Sequence, residues 1–121
     1  MKINRISLVS ACLLALFATP ALAEFKHIRT EAQLQPLIGK KMYDSSGNWF
    51  RWNADGSMSA QMTSGAPFAG AWKWSNGFVC RNARIGDNEL GTDCQKIEFD
   101  GKNMRYTRNR GRGEASVMAL Q

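Results

Sequence analysis

Histidine is nearly absent from this chain: His27 is the single one in 121 residues. A zinc ion takes four ligands, and without a second histidine no His-based cluster can form. His27 itself reads as an ordinary surface side chain in an N-terminal lead-in. Cysteine is scarce as well, with Cys12, Cys80 and Cys94 making the total of 3. None belongs to a Cys-x-x-Cys, so neither a thioredoxin-like dithiol nor a cysteine-based metal centre is expected. Beyond residue 22 no apolar run is long enough to span a bilayer. Glycines are present, but no glycine-rich turn leads from a strand into a helix. Gly111 and Gly113 form a Gly-x-Gly followed by neither a third glycine nor a helix-forming run, so no pyrophosphate cradle exists and no cofactor is expected. Internal repeats, low-complexity segments and signs of a second domain are also missing.

The N-terminus is richer. Met1–Arg5 is a short positive head, Ile6–Thr19 is apolar apart from Ser10, and Pro20-Ala21-Leu22-Ala23 ends in a small-x-small site. This is the layout of a cleaved secretory signal. The expected working chain is therefore residues 24–121, one β domain of 98 residues in the periplasm. Val9-Ser10-Ala11-Cys12 resembles a lipoprotein box. Cleavage there would leave too short an apolar core and would strand Leu13–Phe17 on the product, so lipidation at Cys12 is not expected. The export reading leaves Cys80 and Cys94, an even pair in an oxidising compartment, which reads as a disulfide closing a loop of about 15 residues and contributing roughly 3 kcal/mol. A free-thiol pair is the other reading. Loss of Lys2 and Arg5 lowers the whole-chain charge of +6 to +4, a mildly basic domain. Nucleic acid is not an expected partner of an exported chain.

Thr30-Glu31-Ala32-Gln33 has capping-box spacing, which predicts a short helix over Glu31–Ile38 stopped by Gly39. Pro36 falls inside it and removes a backbone donor. The helix should pack as a plug on one end of a sheet. After Gly39, turn signals recur at about ten-residue spacing: Ser45–Asn48, Ala54–Gly56, Ser64–Pro67, Asn76-Gly77, a loop Gly86–Thr92, Asp100-Gly101 and Arg110–Gly113. They separate eight runs: Lys41–Asp44, Trp49–Asn53, Ser57–Thr63, Phe68–Ser75, Phe78–Ile85, Asp93–Phe99, Asn103–Asn109 and Glu114–Leu120. Apolar residues alternate with polar ones in several of them, as in Met58, Ala60 and Met62 or Phe68, Gly70, Trp72 and Trp74, which means one buried face. An open sheet of this kind would carry two bare edges. The expected fold class is mainly β: a small eight-stranded antiparallel up-and-down barrel, or a curled meander, with a short N-terminal helix. Cys80 and Cys94 should face each other across neighbouring strands.

The order of Leu37-Ile38-Gly39-Lys40, Gly70-Ala71-Trp72-Lys73-Trp74, Gly77-Phe78-Val79-Cys80-Arg81, Asp93-Cys94-Gln95, Asp100-Gly101 and Arg110–Gly113 resembles a family of short exported bacterial proteins. These commonly carry the automatic label "dihydrodipicolinate reductase". The resemblance spans nearly all of residues 24–121 and implies export, a disulfide and a β fold. The label implies a nicotinamide-dependent reductase, and no residue here can be carried over as catalytic. A looser likeness, of architecture and a Gly-x-Trp strand, is to small periplasmic barrel-type protease inhibitors.

The remaining candidates are clusters. Asp87, Glu89 and Asp93 lack calcium-loop spacing and read as a solvated loop. The methionines are numerous enough to suggest Cu(I), yet their scatter over several strands at core parity reads as gap-filling core. Trp49 and Trp52 lie on opposite faces of one run, so one of the two rings could stack on a ligand. Arg105, Arg108, Arg110 and Arg112, with Lys102, form a stretch without any acid between Asp100 and Glu114, which could grip a carboxylate, phosphate or sulfate. These readings predict a monomeric binding module without catalytic or metal site. Its partner would be a small molecule, an anionic envelope component or an exported protein. Inhibition of an exported protease through Glu24–Arg29 is the alternative, and the reductase a third.

Overall fold

Residues 24–121 are described by a computed structural model; the expected export segment, with Cys12, lies outside the described residues. The chain runs β1 (Lys26–His27), α1 (Glu31–Leu34), a 3₁₀ turn (Gln35–Leu37), β2 (Met42–Tyr43), β3 (Trp49–Trp52), β4 (Ser57–Gln61), β5 (Phe68–Ser75), β6 (Phe78–Ile85), β7 (Asn88–Phe99), β8 (Asn103–Thr107), the short α2 (Arg108–Gly111) and β9 (Ala115–Leu120). Every strand pairing is antiparallel. Strands β2 to β9 pair in sequence order, and β2 pairs with β9 through Met42–Leu120 and Tyr43–Ala119, which closes an eight-stranded up-and-down barrel. Closure removes the bare edges that an open meander would have.

The turns follow their chemistry. Asn76 and Gly77 both sit at positive φ, +50° and +88°, the geometry that joins β5 to β6 in register from Phe68–Ile85 to Ser75–Phe78. The segment Gly86–Thr92, expected as a loop, is mostly strand: Gly86 and Asp87 form a two-residue turn between Ile85 and Asn88, and β7 runs on for 12 residues. Its first half is polar apart from Leu90 and carries Gly91, so it lacks the alternation by which a strand is recognised. Cys80 and Cys94 are direct cross-strand partners on β6 and β7, joined as a disulfide on the outer face.

The helical segment is shorter than Glu31–Ile38. Thr30 and Gln33 form the reciprocal capping box, yet α1 ends at Leu34 because Pro36 cannot donate. The chain tightens into the 3₁₀ turn with Pro36 in its first turn, and Ile38 is already extended. Leu34 and Leu37, both 0% exposed, pack with Ile28, Trp52, Val79 and Ile97. Trp52 ends β3, Val79 lies near the start of β6 and Ile97 near the end of β7, so the helix plugs that end of the barrel. The hairpins β2–β3, β4–β5, β6–β7 and β8–β9 turn at the opposite end.

β1 was not legible as a strand. Lys26 and His27 pair with Phe99 and Glu98 of β7, and the Ile28 N–H donates to the Ile97 carbonyl at 2.9 Å. His27 is accordingly no ordinary surface side chain: it is half-buried, and its Nε2 is buried without a hydrogen-bond partner.

Candidate functional site

A cavity of about 230 Å³ occupies the barrel interior toward the end opposite the helix. Its apolar wall comes from Met42, Met58, Met104 and Met118 with Phe50 and Trp52, and Phe68, Ile85, Leu90 and Arg108 line it at the turn end. Leu90 and Arg108 are exposed and make the rim. The parity expected from the sequence is kept: Phe50 and Trp52 face in, while Trp49 and Arg51 face out.

Local sequence creates the space. Gly70, Ala83 and Gly91 align across β5, β6 and β7, and Ala83 leaves its part of the cavity wall without bulk. A Cβ on Gly70 would lie 2.9 Å from the Phe68 ring, which folds over the bare glycine backbone. Phe68 in turn meets Phe50 edge-on at 5.7 Å.

Four polar side chains break this apolar surface: Arg81, Gln95, Tyr106 and Arg108. Arg81 shares inward parity with Val79 and Ala83 and is only 9% exposed. Its Nη1 donates to the Gly91 carbonyl at 2.9 Å. Asp93 is its cross-strand neighbour, but the two form no ion pair within 4.0 Å among the described residues. Both Asp93 oxygens are engaged elsewhere: Oδ1 accepts from the Asn109 N–H at 3.0 Å and Oδ2 from Gln95 Nε2 at 3.0 Å. Burial pulls the Arg81 pKa down, Asp93 pulls it up, and the positive charge of Arg108 pulls it down again. A guanidinium stays charged through such shifts, so the cavity holds a positive charge without a contacting carboxylate.

The arginines singled out in the sequence do not act as one group. Arg105 does point outward, but its Nε and Nη2 grip Glu98 at 3.1 and 2.7 Å, and it lies 4.3 Å over the Phe25 ring. Glu98 is only 8% exposed on this outer face, and hydrogen bonding to Arg105 holds its carboxyl below the usual value. Arg110 and Arg112 belong to the β8–β9 connection, which begins two residues earlier than expected because β8 stops at Thr107. Only Arg108 reaches the cavity. Trp52 is core and lines the cavity, whereas Trp49 is half-buried outside, with Lys41 Nζ at 4.6 Å and the Arg51 guanidinium at 5.5 Å over its ring.

The acidic group is divided too. Glu89 pairs with Arg84 at the surface, and Asp93 is half-buried as the anchor of the Asn109 turn, not part of a solvated loop. A larger concavity of about 600 Å³ lies outside the barrel against β1, between Lys26, His27, Gln33 and Asp100. It is an open surface groove. Arg81, Gln95 and Tyr106 escaped the sequence reading, although the inward parity of Val79, Arg81 and Ala83 within one run was the available signal. Comparison with known protein families, with curated proteins and with solved structures finds no match for this chain.

Proposed function

We propose that this chain is an exported periplasmic binding module, acting as a monomer, whose barrel interior takes a small apolar molecule. The observation that carries the reading is the 230 Å³ cavity, walled by four methionines and by aromatic rings and open at the end away from the helix plug. Pockets for drug-sized ligands measure about 300–1,000 Å³, so this ligand is smaller. At about 30 Å³ per water in the liquid, the space equals roughly eight waters or methylene-sized groups. Methionine walls suit a flexible chain, because thioether side chains repack at little cost.

The protease-inhibitor alternative needs a free N-terminal segment. Lys26 and His27 are paired to β7 and Ile28 is buried, which weighs against insertion of Glu24–Arg29 into another protein. A nicotinamide-dependent reductase needs a glycine-rich turn at a helix N-terminus, and every connection between β2 and β8 instead joins antiparallel strands.

Calorimetric titration with straight-chain alcohols tests the reading. Affinity is expected to rise about fourfold per methylene, the equivalent of roughly 0.8 kcal/mol, and to level off near eight carbons. Ala83→Leu, which fills the cavity from β6, should abolish binding while leaving the fold intact. Binding without chain-length dependence, or unchanged in Ala83→Leu, would refute it.

A further inference from the structure

We infer that the cavity's ligand is a short-chain carboxylate, held with its head group on Arg81 and Arg108 and its chain among the methionines. The inference rests on the cavity reading and adds the chemistry of the ligand. Arg81 is nine-tenths buried, faces the cavity, and spends one N–H on the Gly91 carbonyl. Its remaining donors form no ion pair within 4.0 Å among the described residues; its cross-strand neighbour Asp93 accepts from Gln95 and the Asn109 backbone instead and acts on Arg81 only through space. Burying a guanidinium without a contacting carboxylate is costly, and an anion entering the cavity supplies that contact. Arg108 brings a second guanidinium to the same cavity from its rim. Two like charges facing one space repel each other until an anion sits between them.

The planar guanidinium fork fits a carboxylate through two parallel hydrogen bonds. Tyr106 and Gln95 add polar atoms at the same wall, so the polar side chains of the cavity can converge on one head group. The rest of the lining is apolar and leaves room only for a short chain. A phosphate head would take more of that volume than a carboxylate does.

Octanoate, octanol, octylammonium and octyl phosphate, titrated at neutral pH into residues 24–121, separate the possibilities. Octanoate is expected to bind at least tenfold more tightly than octanol, and octylammonium not to bind. Arg81→Gln should weaken octanoate at least tenfold and change octanol by less than twofold; Arg108→Gln should weaken octanoate by a smaller factor. The wild-type comparison among the four probes needs no variant to fold. Equal affinity for octanoate and octanol would overturn the inference and leave the cavity reading in place. Preference for octyl phosphate would overturn the carboxylate assignment. Failure of all four probes to bind would overturn both.

Discussion

Arg110 holds its backbone at φ +55°, beside Asn109 at +52° and Gly111 at +85°. A left-handed conformation costs an L-residue about 1–2 kcal/mol, less for asparagine and nothing for glycine. Asp93 stabilises this turn by accepting the Asn109 N–H. Arg110→Gly should therefore stabilise the domain by about 0.5–1 kcal/mol, read as a higher urea midpoint with unchanged slope. Two other side chains, His27 and Glu98, contribute to the acid response. Burial lowers the His27 pKa from 6.5, so the unfolded chain takes up a proton before the folded one does. Glu98, lowered from 4.5 chiefly by its hydrogen bond with Arg105, contributes stability above the unfolded value and loses it as pH falls toward the folded one. Both signs agree: stability should fall with pH, first below about 6.5 and again below about 4.5. His27→Asn should remove the first decline and Glu98→Gln should reduce the second, which Asp55 and Asp100 share because hydrogen bonds lower their pKa values too, as followed by thermal melts across pH 4–8.

At the scale of the element, the most legible strands were those joined by the strongest turns. Phe68–Ser75 and Phe78–Ile85 are read to the residue, because Asn76-Gly77 fixes the hairpin and one face alternates cleanly. The start of β7 was not legible, since Asn88–Thr92 has Leu90 as its one apolar side chain beside Gly91, and a register shift against β6 breaks its alternation. β1 has only two residues, too few for any periodicity. The capping box was read correctly, and Pro36 shortened the helix more than expected. The plug tests this packing: Leu37→Ala should cost about 2–4 kcal/mol, because a fully buried side chain leaves a void between rigid strands. Thr30→Ala should cost only about 1 kcal/mol. Replacing Cys80 and Cys94 by Ala should lower stability by about 2–4 kcal/mol on denaturant titration. On β5, Gly70→Ala should displace the Phe68 ring, since the added Cβ would meet it at 2.9 Å.

For the whole molecule, closure of β2 on β9 makes the inward faces of eight strands one surface, and the small side chain of Ala83 leaves part of it unfilled. The barrel could be derived from turn spacing and period two. The cavity could not, because it depends on which inward side chains are small and on where the helix ends. Among the described residues no helix is long and apolar enough to cross a membrane. The central claim is that the barrel interior is the binding site, and methionine methyl NMR tests it most directly. Met42, Met58, Met104 and Met118 line the cavity, whereas Met62 is buried without lining it. On titration with octanoate, the first four methyl signals should shift together with one dissociation constant while Met62 stays in place. Shifts at Met62 alone, or none at the four cavity methyls at saturating octanoate, would contradict the account.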